Sequence, residues 1–129
     1  MKSVVICGSR RFKPEARKFA SGLKKLGVVV YEPYFHSGQE EWANLSEDYK
    51  KFVALGLTHD HFYKIKMADV VFVYNKDGYS GVSTTLELGF AMALGKPIYA
   101  FSDKEEELCR KVLFRGFFTK PSELLKVLK

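Results

Sequence analysis

The residues with the most chemistry in this chain lie in one stretch, Gly78-Tyr-Ser-Gly-Val-Ser-Thr-Thr-Leu-Glu-Leu-Gly-Phe-Ala-Met-Ala-Leu-Gly-Lys-Pro97. Its single acidic side chain, Glu87, follows the glycines Gly78 and Gly81 and the hydroxyls of Ser80, Ser83 and Thr84. A glycine- and hydroxyl-rich loop running into a helix lets a sugar or a phosphate come close to the backbone. A carboxylate in the first turn of that helix is favoured in its charged form by the helix dipole. An ionised, firmly held carboxylate is what attack on an anomeric carbon requires. The same residues also fit a capping box, with Thr84 accepting from the Glu87 amide and Glu87 reaching back to Thr84. The residues alone leave both readings open.

A second candidate is Gly8-Ser9-Arg10-Arg11, between an apolar strand and a helix. Bare N–H groups at such a turn suit a phosphate or another anion, and two arginines add bidentate donors. It lacks the G-x-G-x-x-G dinucleotide pattern, and a strand-to-helix turn also carries glycine for geometry alone. Asp60 and His61, just after Thr58, are placed near the same edge as Glu87; His59 and His61 also read as solvated residues of a helix first turn, and Asp77, beside Gly78, as ordinary turn chemistry. Tyr34, Phe35 and Trp42 could stack on a base, or pack as core or lid. Cys7 and Cys109 have no metal-ligand spacing, and Cys7, inside a strand, reads as a small buried hydrophobe.

These residues need a scaffold, and the pattern predicts one. Apolar runs at 3–7, 28–31, 69–74 and 98–101 read as buried strands, with a weak fifth at 112–114. Between them, Phe19, Leu23 and Leu26 recur at helical spacing after Pro14 and before Gly27. Ser46 caps a helix to Leu55, and Thr58 either caps a new one to Met67 or lies in a continuation kinked at Gly56. Helices are also predicted at about 84–94, 102–109 and 122–128. The connection from Glu32 to Leu45 reads as irregular, the length at which a lid or binding loop is common. Alternating strands and helices predict one α/β domain over 1–129, a three-layer open parallel sheet of the flavodoxin-like or Rossmann-like kind with strand order 2-1-3-4-5. Ligands bind such sheets beyond the carboxyl ends of the strands, which is where both glycine turns fall.

With 129 residues, 47% of them hydrophobic, the chain can bury a core. No apolar run is long enough to cross a bilayer. The opening Met1-Lys2-Ser3 followed by four apolar residues is too short for a signal segment, so a soluble, cytoplasmic protein is expected. The net charge of +6 is scattered over helix faces. It suits small anions such as nucleotides, and without a nucleic-acid-binding signature nucleic acid is not an expected partner. The helix after Gly81 is apolar nearly all round, which requires cover on both sides. A partner subunit would supply it in a homodimer, and a neighbouring helix of the same chain is the alternative.

The stretch Gly81-Val-Ser-Thr-Thr-Leu-Glu-Leu-Gly-Phe-Ala-Met-Ala-Leu-Gly-Lys-Pro97 resembles the signature segment of the nucleoside 2-deoxyribosyltransferase family, with Glu87 at the place of the nucleophile. Cys7-Gly8-Ser9 followed by arginine is similar to the related 2'-deoxynucleoside 5'-monophosphate N-glycosidases, where this turn lies at the nucleotide phosphate. Ala68-Asp69 also fits. The resemblance implies a small flavodoxin-like fold and a homo-oligomer with sites near subunit contacts. It implies cleavage of an N-glycosidic bond of a nucleoside or nucleotide through a glycosyl-enzyme intermediate, with no metal or organic cofactor. One position departs: the family's aspartate eight residues before the aspartate of Ala-Asp is His61 here. Either Asp60 serves after a one-residue shift, or Asp77 or another acid does, or catalysis is altered. Two other readings stand beside this one. Thr84-x-x-Glu87 is also similar to lysine-decarboxylase-like phosphoribohydrolases, whose Pro-Gly-Gly is not intact at Tyr79-Ser80-Gly81. The His61 departure suits a nucleotide-binding sensor without turnover.

Overall fold

A computed structural model describes residues 1–34 and 39–129. The chain forms β1 (Val4–Gly8), α1 (Lys13–Lys25), β2 (Val30–Tyr31), α2 (Gln39–Ala43), α3 (Glu47–Met67), β3 (Val70–Tyr74), α4 (Val82–Ala93), β4 (Ile98–Ala100), α5 (Leu108–Lys111), β5 (Phe114–Phe117) and α6 (Pro121–Leu128). The five strands are all parallel, in the order β2-β1-β3-β4-β5. β1 lies between β2 and the central β3, with Val4 opposite Val30 on one side and Val70 on the other, and Gly8 level with Tyr74.

The apolar runs are continuous because both faces of the sheet are covered. Side chains alternate across the sheet. Val4, Ile6, Val70 and Phe72 face α1 and α6 with Phe19, Leu23, Leu124 and Leu128, and the Phe19 and Phe72 rings stack with centroids 4.7 Å apart. Val5, Cys7, Val71, Val73, Ile98 and Ala100 face α3 and α4 with Ile65, Leu88 and Ala91. The result is a three-layer α/β/α sandwich.

Several boundaries differ from the sequence pattern. The residues from Glu47 to Met67 form one helix, α3, through Gly56, with Ser46 as its N-cap. A side chain at Gly56 would meet nothing within 4 Å, so that glycine has no packing role and leaves the helix unbroken. The segment before α5 is mostly irregular because Asn75 binds the chain there, its side chain accepting from the Phe101 and Ser102 amides and donating to the Ser102 carbonyl. Buried Glu105 then pairs with Arg110 at 2.9 Å. The last strand starts two residues later than its apolar run suggests, and α2 occupies part of the connection read as irregular. The Phe35 expectation, and the part of the connection over residues 35–38, lie outside the described residues.

The α4 helix begins at Val82, with Gly81 as its N-cap. Thr84 is therefore inside the first turn and Glu87 in the second, and the capping box does not form. No acidic side chain stands in the first turn of α4. The apolar surface of α4 is covered partly by α3, whose Phe62 stacks on Phe90 at 4.7 Å. Val82, Leu86, Met92 and Leu94 remain exposed. Among the described residues no helix is long and apolar enough to cross a membrane.

Candidate active site

A cleft of about 370 Å³ opens beyond the carboxyl ends of β1 and β3. One wall is the turn after β1, with Gly8, Ser9 and Arg10. The other is the start of α4, with Gly81, Ser83, Leu86 and Glu87. Leu57, Thr58, His61 and Phe62 of α3 and Pro33 and Tyr34 complete it. The parallel topology positions both glycine turns, as β1 and β3 are neighbours and their following loops leave the same sheet edge.

Gly8 has a φ of 155°, and a Cβ there would lie 2.9 Å from the Tyr74 carbonyl oxygen, so the turn requires glycine. Ser9 accepts a hydrogen bond from the Arg11 amide at 3.1 Å and shapes the short helical turn that follows. Arg10 reaches the cleft. Arg11 does not line it; its guanidinium lies over the Tyr79 ring, 3.6 Å from the centroid.

Three side chains from three elements cluster here, His61 and Glu87 lining the cleft and Cys7 fully buried beside them. The sulfur of Cys7, at the end of β1, is 3.3 Å from His61 Nε2. His61 Nε2 is 3.6 Å from Glu87 Oε2. Burial pushes Glu87 up from 4.5 to about 8, against the opposing hydrogen bond from Cys7. Burial also pushes the Cys7 thiol well up, helped by the neighbouring Glu87 charge. His61 is lowered from 6.5 to about 4, first by burial, then by nearby Lys64, with Asp60 opposing. Both shifts favour the uncharged forms, which weakens the short His61–Glu87 contact as an ion pair. The sequence pattern put a charged carboxylate in the first turn; the desolvated position in the second turn reverses that.

The structure brings together Glu87, Gly8, Ser9, Arg10, Gly81 and Ser83 from the sequence candidates. Ser80 and Thr84 are buried, and neither hydroxyl has a hydrogen-bond partner among the described residues. Asp60 is not at the site. One residue along a helix is a turn of about 100°, so where His61 and Ile65 face inward, Asp60 faces out and pairs with Lys64 at 2.7 Å. Asp77 is exposed, its φ of 57° set by the tight turn, and it lines a separate cleft with Lys104 and Phe117. His61 and Cys7 were not among the chosen site residues. Cys7 carried a signal, as the last side chain of a strand before a glycine turn lies at the ligand edge of a parallel sheet. Trp42 does not line the cleft.

The all-parallel sheet, with the Glu87 carboxyl in a cleft at its carboxyl edge, is an open three-layer α/β fold with its ligand edge occupied by this site. The family model for nucleoside 2-deoxyribosyltransferase matches residues 4–124, and the chain belongs to that family. The fold is similar to that of a solved 2-deoxyribosyltransferase from Bacillus psychrosaccharolyticus, at 22% identity and a TM-score of 0.66 over 95% of this chain and 89% of that one. It is also similar to a 2-desoxiribosyltransferase from Leishmania mexicana, at 20% identity and a TM-score of 0.53 over 79% of this chain and 65% of that one. No curated protein matches the sequence.

Proposed function

We propose that the protein cleaves the N-glycosidic bond of a 2'-deoxynucleoside 5'-monophosphate, or of the nucleoside itself, through a deoxyribosyl ester on Glu87. The observation that carries this reading is the buried Glu87 carboxyl, lining the cleft 3.6 Å from the His61 ring. With Asp60 and Asp77 both turned away, His61 is the group placed to move the proton. Glu87 gives its proton to His61, and the carboxylate oxygen attacks C1'. The C1'–N bond breaks, its electron pair goes to the base nitrogen, and the base takes the proton from His61. A second base or a water then attacks C1', giving its proton to His61 as the ester bond to Glu87 breaks, and His61 returns that proton to Glu87.

The test is incubation with deoxynucleosides and their 5'-monophosphates, following free base by chromatography, and trapping with a 2-fluoro-substituted analogue. A sugar adduct on Glu87 by mass spectrometry supports the reading. Tight nucleotide binding without base release would make the protein a binding module instead.

Arg10 supports the monophosphate. A charge-assisted bond to phosphate is worth about 1.5–3 kcal/mol, so Arg10→Ala is expected to raise KM for the monophosphate at least about tenfold. The nucleoside KM should stay within about twofold of wild type. Equal losses on both substrates would refute the assignment.

A homodimer is proposed as well. Tyr49, Phe52 and Leu55 are exposed along α3, Tyr49 and Phe52 in ring contact at 6.1 Å, and Val82 and Leu86 are exposed on the neighbouring helix. Of these only Leu86 lines the cleft, and the exposed apolar side chains suit a second copy. Phe52→Glu is expected to shift the sedimentation coefficient from dimer to monomer. A wild-type protein that sediments as a monomer at high micromolar concentration would refute it.

A further inference from the structure

We propose that Cys7, His61 and Glu87 form a binding site for one Zn²⁺ ion, with the cleft supplying the fourth position. The three donors come from the end of β1, from α3 and from α4, so the fold itself brings them together. A tetrahedral Zn²⁺ with a sulfur at about 2.3 Å and nitrogen or oxygen at about 2.0–2.1 Å sets neighbouring donors about 3.3–3.6 Å apart. Here Cys7 Sγ to His61 Nε2 is 3.3 Å, and Nε2 to Glu87 Oε2 is 3.6 Å. All three donor atoms lie within 4.8 Å of one another.

The donor set selects the ion. A thiolate, an imidazole and a carboxylate suit Zn²⁺, while Mg²⁺ and Ca²⁺ require oxygen ligands. Three protein ligands with the fourth position open is the arrangement of zinc sites that accept an exchangeable ligand. His61 and Glu87 line the cleft, so the ion has a route in. On binding, the Cys7 thiol proton and any proton on Glu87 leave to solvent. His61 Nδ1 is buried with no hydrogen-bond partner among the described side chains. The ring therefore lacks outer support, and affinity is about ten- to a hundredfold below that of a supported site.

Metal binding stands apart from the glycosyl reading. Only its consequence rests on that reading: an ion on the Glu87 oxygen occupies the nucleophile and blocks turnover. The experiment therefore reads metal and not activity. Purified protein freed of metal by a chelator is titrated with Co²⁺, whose bond to a thiolate gives a near-ultraviolet charge-transfer band. One equivalent should saturate the band, and one equivalent of Zn²⁺ should bleach it. Cys7→Ser should abolish it, and Cys109→Ser, at the exposed cysteine, should leave it unchanged. Glu87→Gln and His61→Ala should each weaken Zn²⁺ binding in calorimetry by more than about tenfold, the least that loss of even an outer-shell partner commonly costs. These two variants carry the test should Cys7→Ser fail to fold by circular dichroism. No band from the folded wild type, a band that follows Cys109, or full affinity in Glu87→Gln would overturn the site.

Discussion

Glu87→Gln is expected to abolish base release, lowering kcat by at least about 10⁴-fold, the scale on which removal of a catalytic nucleophile acts. Glutamine keeps the size and the hydrogen-bonding reach of the protonated side chain, so the cleft should survive. What it loses is an oxygen able to take C1'. Substrate binding should therefore persist, with Kd for a 5'-monophosphate within a few fold of wild type while turnover disappears. The split between binding and turnover matters because a merely structural glutamate would move both together. His61→Asn sharpens the reading. If His61 carries the proton to the departing base, its loss costs about 10²–10⁴-fold, as general acid–base groups do. The loss should be smallest for substrates whose base leaves most readily. Undiminished turnover in Glu87→Gln would end the glutamyl-ester mechanism. A His61→Asn loss equal for good and poor leaving groups would remove His61 from proton transfer.

The parts of this molecule that the amino-acid order made legible are those decided by local pattern. Val4–Gly8 and Val70–Tyr74 are unbroken apolar runs because they are central strands buried on both faces. The order of the sheet follows instead from the commonest arrangement of a parallel α/β domain of this length. Glu87 was legible from its surrounding motif. Its environment was not, because that depends on the phase of two helices. The start of α4 falls at Val82 instead of Thr84, and those two residues move Glu87 from a first-turn cap to a buried face. On α3 the phase was concealed by apolar side chains on the outside: Tyr49, Phe52, Leu55 and Tyr63 are exposed. A reader seeking the inward face by hydrophobicity has no stripe to follow, and chooses Asp60 or His61 by chemistry alone. Aspartate is the more familiar acid. Packing selected His61, because Ile65 one turn later is fully buried against the sheet and carries His61 inward with it.

The same desolvation that shapes the site should make the wild type less stable than Glu87→Gln at neutral pH. In the unfolded chain Glu87 gives up its proton near 4.5, whereas burial in the fold holds it to about 8. Between those values the folded state binds the extra proton. Its contribution to stability is fully present below about 4.5 and is lost as pH rises through about 8. His61 has the opposite sign. Lowered from 6.5 to about 4, it contributes stability above 6.5 that is lost as pH falls toward 4. The two effects oppose each other between 4.5 and 6.5, and from 6.5 to 8 only Glu87 changes. Each tenfold change in proton affinity is worth about 1.4 kcal/mol. At pH 7 the buried carboxyl therefore costs the fold on the order of 3 kcal/mol, which glutamine does not incur. Glu87→Gln should raise Tm by roughly 10 °C at that pH in chelator-treated buffer, given the usual entropy of unfolding for a domain near this size. The gain should grow from pH 6.5 to 8 and vanish below about pH 4.5. A Tm difference that is flat with pH, or a variant less stable than wild type, would mean that the carboxyl is ionised and compensated in the folded protein. The attacking group would then be ready without a proton transfer to His61.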